Sequence, residues 1–189
     1  MHRFVRLVSA PVFAAVVAVA PASADAWQID GSHSNAQFSV THLMISTVRG
    51  EFGKMSGTIE YDGKDVASIK ADVTIDAASI NTHEEKRDGH LKSPDFFDVA
   101  KYPTLTFKSK KVVPGTGGAF QIVGDLTMHG VTKEVTLDVA SVSKVIKGMR
   151  GESRVAASAT AKINRQDFGV KWNANLVSVA NDLAGSRSK

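Results

Sequence analysis

The sequence predicts an all-β protein whose antiparallel strands form a closed barrel or a two-sheet sandwich. Short segments alternate strictly between apolar and polar residues, which is typical of strands with one buried face. Glycine-containing turns separate the segments, and the spacing of about 10 to 15 residues fits hairpins rather than βαβ units. One-sided apolar faces on many antiparallel strands favour a barrel or a sandwich.

Seven segments carry this alternation. They lie at residues 36–41, 57–61, 69–75, 104–108, 120–126, 131–139 and 155–163. In the last segment the expected inward residues are small: Ala157, Ala159 and Ala161. Small interior residues leave room for a ligand, as in lipocalin-type barrels. The alternative is that this wall packs closely against another wall.

One helix is expected, from about Thr82 to Leu91. Thr82 is followed three residues later by Glu85, the spacing of a capping box. A short helical turn is expected near Ser93 to Asp98.

The first 24 residues predict a signal peptide. Arg3 and Arg6 precede an apolar run over 7–20, and Ala22-Ser23-Ala24 is a small-residue cleavage pattern, with a second option after Ala26. The run is shorter than the ~20 residues of a comfortable membrane span. We therefore expect an exported domain over 25–189 without stable membrane insertion; an uncleaved anchor is the alternative.

Composition narrows the function further. The chain has no cysteine, which excludes thiol catalysis and cysteine-ligated metals. Loss of Arg3 and Arg6 leaves 21 basic against 19 acidic residues, a balance too even for nucleic-acid binding. The cluster of Lys144, Lys147 and Arg150 is expected to be a solvated face, or alternatively a weak attraction for anionic lipid heads.

A charged cluster interrupts the β pattern at Arg87, Asp88 and His90, just before apolar residues. The guanidinium fork of Arg87 suits a phosphate or a carboxylate. Alternatively, Arg87 and Asp88 pair with each other or with the backbone and fix the loop.

Other candidate binding residues lie on the strands. His42 shares parity with the apolar Phe38, so it could line the interior, although a structural histidine is the alternative. Phe38, Phe107 and Phe120 alternate with polar residues and are predicted to line the interior. No paired-histidine metal motif is present in the sequence, and no metal site or cofactor is predicted.

Five segments carry a resemblance to a known family. They are WQIDGSHSNAQFSVTHL (27–43), VRGEFGKMSG (48–57), RDGHLKSPDFFDVAKYP (87–103), GDLTMHGVT (124–132) and INRQDFGVKW (163–172). In this order and spacing they resemble the YceI-like proteins, bacterial exported proteins that bind lipids and polyisoprenoids. The segments together span nearly all of the mature chain.

The resemblance implies an extended eight-stranded antiparallel barrel of lipocalin-like shape, with the helix-bearing loop at one end. Its apolar pore would hold a polyprenyl phosphate, a quinone or a fatty amphiphile in the periplasm, with Arg87, Asp88 and His90 near the mouth. Residues 174–189 depart from the family's strong final strand. A truncated or absent eighth strand is therefore expected, with an open edge through which a homodimer could pair.

Three functions remain open at this stage. The first is binding or transport of a long-chain isoprenoid or other amphiphilic lipid without chemistry. The second is a stress-related interaction protein with a collapsed cavity. The third is a hydrolase, for which the sequence offers Asp30, Ser32 and His33 but no nucleophile elbow.

Overall fold

The computed structural model describes residues 25–42 and 46–172. These residues form twelve strands and one α-helix, α1, over Glu85–Lys92. The strands β1 to β12 are Asp25–Gln28, Ala36–His42, Ser46–Phe52, Met55–Tyr61, Lys70–Asp76, Ile80–Asn81, Thr104–Pro114, Phe120–Met128, Val131–Val142, Ile146–Lys147, Ser153–Arg154 and Ala157–Thr160. Short 3-10 turns cover Val66–Ser68, Ala77–Ser79 and Arg165–Phe168.

The main sheet has seven strands in the order β1-β4-β5-β7-β8-β9-β12, and every pairing in it is antiparallel. It curls into a half-barrel. A second sheet has the order β2-β3-β6, and β10 and β11 form a separate hairpin. The all-β antiparallel prediction and the prediction of one short helix in a loop are confirmed.

The hydrophobic core contains the inward residues of the main sheet together with Phe52 and Ile80 of the smaller sheet. On β8 the alternating residues Phe120, Ile122 and Leu126 are all buried, as the pattern predicts. Gly124 continues this face for a steric reason: a Cβ there would lie 2.6 Å from Cζ of Phe107. The glycine therefore makes room for an aromatic ring from the neighbouring strand.

The last predicted segment behaves differently. Ala157 pairs with Val142 and Ala159 with Val139, and both valines belong to or pack against the core. Since residues paired across strands share a face, Ala157 and Ala159 point inward as predicted. They are nevertheless exposed, because no described element covers β12. Residues 174–189, where a truncated or absent final strand is expected, lie outside the described residues, as does the predicted signal peptide over 1–24.

The helix begins three residues later than predicted, and its cap is different. Glu84 caps α1, and its carboxylate accepts from the backbone N–H of Lys86 at 3.1 Å and of Arg87 at 2.6 Å. The prediction of Thr82 as the cap is wrong. His83 has a left-handed backbone with φ of 61°, so the chain turns between Thr82 and the helix and Thr82 bonds elsewhere.

Candidate functional site

Two residues of the charged cluster, Arg87 and Asp88, bind the same buried residue, Thr82, which is only 4% exposed. Arg87 donates from Nε to the Thr82 hydroxyl at 2.7 Å and from Nη2 to its carbonyl at 2.8 Å. Asp88 accepts from both the Thr82 hydroxyl and, at 2.9 Å, the Thr82 backbone N–H. The three residues form a closed network that fixes α1 to the end of β6.

This geometry agrees with the alternative in which Arg87 and Asp88 fix the loop by local hydrogen bonds instead of binding a ligand. One carboxylate oxygen of Asp88 and two nitrogens of Arg87 are already used by Thr82. This partly buried network holds α1 in place because the polar groups of the buried Thr82 would be costly to leave unpaired. Ligand binding by Arg87 and Asp88 remains a prediction.

His90 belongs to a neighbouring group that we call the aromatic cluster: His90, Phe96 and Trp172. The His90 ring meets Phe96 and Trp172 edge-on, with ring centroids 5.0 and 4.9 Å apart, and His90 Nε2 lies 2.9 Å from Asp95 Oδ2. Trp172 remains partly exposed. The cluster thus combines apolar rings, a titratable imidazole and access to solvent.

Arg165 supports the aromatic cluster, and sequence reasoning missed it. Its guanidinium donates to the carbonyls of Val170 and Trp172 at 2.8 and 2.9 Å and lies 5.8 Å from the Phe96 ring centroid. Asn164 caps the 3-10 turn that carries Arg165. The Asn-Arg-x-Asp pattern before a phenylalanine was the sequence signal for this turn.

The predicted aromatic lining residues separate into two groups. Phe107 and Phe120 are buried in the core, at 7% and 3% exposure. Phe38 is half-buried, packs against Phe52 at 5.7 Å, and lines an open groove of about 440 Å³ together with Arg49. His42 ends β2 opposite Ser46, and its side chain lies outside the described part of the structure.

A second open depression, of about 260 Å³, lies beside Gly31, Met55 and Thr74. Neither this depression nor the groove at Phe38 is lined by Arg87, Asp88 or His90. The fold therefore brings Arg87 and Asp88 together and places His90 on the same helix, whereas Phe38 lines the groove and Phe107 and Phe120 belong to the core.

The residues behind the hydrolase hypothesis do come together. His33 Nδ1 lies 2.8 Å from Asp30 Oδ2 and 3.0 Å from Ser32 Oγ, while Ser32 donates to Asp30 at 2.6 Å. A nucleophilic triad needs the two ring nitrogens in separate roles, one held by the acid and the other facing the hydroxyl. Here one nitrogen faces both partners, so the arrangement does not suit proton transfer from Ser32.

Asp30 instead anchors the loop between β1 and β2. The hydrogen bond from the Ser32 hydroxyl, followed by that from His33, lowers the pKa of Asp30 far below its ordinary value. The carboxylate also accepts from Arg154 Nη1 at 3.1 Å, across 124 residues of sequence. This bond ties the β10–β11 hairpin to the beginning of the domain.

Two further observations concern the described residues alone. Within 25–42 and 46–172, no three acidic or histidine side chains gather in a way that could hold a metal ion. No helix in that part of the chain is long and apolar enough to cross a membrane.

Comparison with known proteins places these features in a family context. The YceI-like domain matches residues 27–184. A UPF0312 protein of Staphylococcus aureus is 39% identical over 147 residues, which cover 78% of this chain and 83% of the relative.

Two solved structures of other bacterial proteins are similar to this chain. The YCEI protein of Campylobacter jejuni is 38% identical with a TM-score of 0.61, over 75% of this chain and 82% of that one. BcnA of Burkholderia cenocepacia is 26% identical with a TM-score of 0.63, over 74% and 83% of the two chains.

Proposed function

The chain belongs to the YceI-like family, and from this premise we propose that it binds a long-chain isoprenoid or similar amphiphilic lipid. The ligand lies along the inner face of the curled sheet, and the protein works in the periplasm as a carrier. Lipid binding is what the YceI-like resemblance of the five sequence segments implies. Export follows from the signal peptide predicted over residues 1–24.

The observation that carries the proposal is the uncovered end of the core face. The face continues from buried Val139 on β9 to exposed Ala159 on β12, and from half-buried Val142 on β9 to exposed Ala157 on β12. Methyl side chains leave width beside the core for an extended hydrocarbon. Each buried methylene adds about 0.8 kcal/mol of transfer free energy, so chain length would dominate affinity.

The polar head group, in this proposal, lies at the end of the domain that carries α1. The aromatic cluster offers the imidazole of His90 there, with its ring stacked edge-on against Trp172. A binding site with apolar walls and a few polar groups at its mouth is the arrangement that an amphiphile requires. Arg87 and Asp88 hold α1 in place through Thr82 and so position His90.

The proposed activity is binding without chemical change. The exposed Asp30, Ser32 and His33 group does not have triad geometry. A His33→Ala variant is accordingly expected to bind lipid as the wild type does. If the wild type cleaved an ester or a phosphoanhydride and this variant did not, the protein would be a hydrolase and the binding proposal would be wrong.

One observation favours a second candidate, an interaction protein with a collapsed interior. Phe107 and Phe120 are buried against other core side chains instead of facing open space. In that case the unpaired edge of β12 would recruit a partner strand.

The test is native mass spectrometry, with lipid extraction, of the protein purified from a bacterial periplasm. We expect a stoichiometric polyprenyl, quinone or fatty adduct in the wild type. Ala159→Phe should lose the adduct because the ring occupies the proposed path. The matched control is Ala140→Phe at an exposed position of β9, and it should keep the adduct.

Two other results would contradict the binding proposal or the proposed path of the lipid. Protein that carries no lipid and takes up no added isoprenoid would overturn the binding proposal and favour the interaction protein. An adduct that survives in Ala159→Phe would place the lipid elsewhere in the molecule.

We also propose that two copies pair through the open edge of β12. Its described neighbour in the sheet is β9 alone, and an unpaired edge offers free backbone donors and acceptors. Size-exclusion chromatography with light scattering should give the mass of a dimer, and a monomer would refute this pairing.

A further inference from the structure

The segment 143–156, which we call the basic hairpin, projects from the sheet after β9. Backbone bonds from Ser143 to Ala156 at 2.8 Å and from Gly148 to Glu152 at 2.8 Å close it at its base and near its turn. Gly151 completes the turn with φ of 86°. The hairpin is therefore an ordered projection with a defined tip.

Its large apolar side chains are turned to solvent. Met149 at the tip is fully exposed, Ile146 is 61% exposed, and Val145 is exposed as well. Three such residues within five positions form a local patch, whereas isolated exposed apolar residues are ordinary on soluble proteins. This patch needs an apolar environment that the described part of the chain does not supply.

The charges around the patch are almost all positive. Glu152 is the one acidic residue of the hairpin, and it is bound by Arg154 Nε at 2.9 Å, which lowers the pKa of the Glu152 carboxyl. Lys144, Lys147 and Arg150 are exposed and make no ion pair with any described residue. The apolar tip is thus flanked by three cations whose charge is not neutralised locally.

We propose that the basic hairpin docks the protein onto an anionic phospholipid bilayer, with Met149 and Ile146 entering the interface and the cations contacting phosphates. Apolar side chains flanked by Lys and Arg are the combination that binds at the headgroup boundary. Nucleic acid also attracts cations, but the even overall charge of the mature chain argues against it. Docking would bring the carrier to the membrane that donates or receives its lipid, and that benefit rests on the proposed function.

The first test measures flotation of the full protein with vesicles. The wild type should float with mixed phosphatidylethanolamine–phosphatidylglycerol vesicles, release as salt rises, and bind phosphatidylcholine vesicles poorly. Lys147→Gln and Arg150→Gln should each weaken partitioning about fivefold. Met149→Ser should weaken it about tenfold.

Matched controls lie on β7, outside the hairpin. Val113 is an exposed apolar residue, and Lys111 is an exposed lysine. Val113→Ser and Lys111→Gln should float like the wild type. Circular dichroism checks that every variant is folded. We expect all of them to fold because the substituted residues are exposed.

The second test exploits the absence of cysteine from the sequence. Met149→Cys labelled with an environment-sensitive fluorophore should shift to the blue on anionic vesicles, whereas labelled Val113→Cys should not. Equal shifts at the two positions, or equal flotation on anionic and neutral vesicles, would overturn the proposal. Binding to no vesicle would also overturn it and leave a protein as the partner of the hairpin.

Lipid occupancy separates this inference from the proposed function. Directly added isoprenoid should fill Met149→Ser as fully as the wild type in native mass spectrometry. Wild-type protein that carries the isoprenoid but does not bind anionic vesicles would reject only the membrane-docking role of the hairpin. Wild-type protein that binds anionic vesicles but carries no lipid adduct would reject only the carrier function.

Discussion

Two charge-rich segments of the molecule differ in the direction of their side chains: one follows β6 of the smaller sheet and the other follows β9 of the curled sheet. In the segment before and within α1, Arg87 and Asp88 turn inward onto the buried Thr82. In the basic hairpin, Lys147 and Arg150 turn outward and find no carboxylate among the described residues. Similar local charge density thus stabilises the fold in one segment and stays exposed to solvent in the described part of the other.

The apolar residues of the two segments show the same contrast. Phe97, which follows α1, packs edge-on against Phe52 with ring centroids 5.5 Å apart. Met149 at the hairpin tip is fully exposed. We conclude that the contact made by the neighbouring apolar residue, rather than the charge count, indicates which loop is structural.

The largest expected effect compares the two apolar residues directly. Phe97→Ala should lower the free energy of unfolding by about 3 kcal/mol, because it removes an aromatic ring packed on the core. Met149→Ala should change it by less than about 0.5 kcal/mol. Urea denaturation of both variants measures the difference, and equal losses would abolish the contrast between the segments.

The next effect concerns the charged residues. Asp88→Ala should cost about 2 kcal/mol because the Thr82 hydroxyl and backbone N–H lose their acceptor while buried. Asp88→Asn should cost less, since its amide carbonyl still accepts. Glu152→Ala, which breaks an exposed ion pair in the hairpin, should cost much less than Asp88→Ala.

The same denaturation series decides this prediction. Each variant is compared with Lys111→Gln, a substitution at an exposed strand residue that is expected to be neutral. A loss for Glu152→Ala as large as that for Asp88→Ala would mean that the hairpin charges also stabilise the fold.

A smaller effect comes from backbone conformation. His83 before α1 and Gly151 in the hairpin turn both have positive φ, 61° and 86°. A left-handed conformation costs a non-glycine residue about 1 kcal/mol or more. His83→Gly should therefore be neutral or stabilising by up to about 1 kcal/mol, and Gly151→Ala should destabilise by a similar amount. Thermal melts that show the reverse order would contradict this assignment.

The smallest effect is a pH dependence at the anchor of the hairpin. The hydrogen bonds from Ser32 and His33 hold the pKa of Asp30 far below its ordinary value, and Arg154 binds the same carboxylate. Because the folded pKa is depressed, the stabilisation is complete above the unfolded value of about 4. It is lost as pH falls from there through the folded value.

Comparison with Asp30→Asn isolates this contribution. The difference in unfolding free energy between wild type and Asp30→Asn should be constant above about pH 5 and shrink toward acid. A carboxyl resonance of Asp30 that titrates at its ordinary value in NMR would show that the anchor is absent in solution.

Much of the fold was predictable from alternation, and the failures have local causes. β3 escaped prediction because Arg49, Gly50 and Glu51 break its pattern in the middle, and β10 and β11 are too short to show a period. Thr82 and Glu85 have capping-box spacing, but His83 has a left-handed backbone conformation, so the helix begins after it and Glu84 is the capping residue.

The candidate site was less predictable than the fold. The sequence identified Arg87, Asp88 and His90 as a cluster, but the partner that joins the first two, Thr82, was assigned another role. Arg165 was missed because its contacts to Phe96 and Trp172 depend on how the 3-10 turn sits against the end of α1.

By itself, the sequence determined the strand faces, the single helix and the family, because one-sided burial leaves a period-two pattern and ordered motifs identify relatives. The tertiary structure alone decided which polar groups meet. The bond between Asp30 and Arg154 spans 124 residues, and Ala159 is exposed because no described element covers β12. Such outcomes depend on contacts between segments that are distant along the chain, and a local pattern carries no record of them.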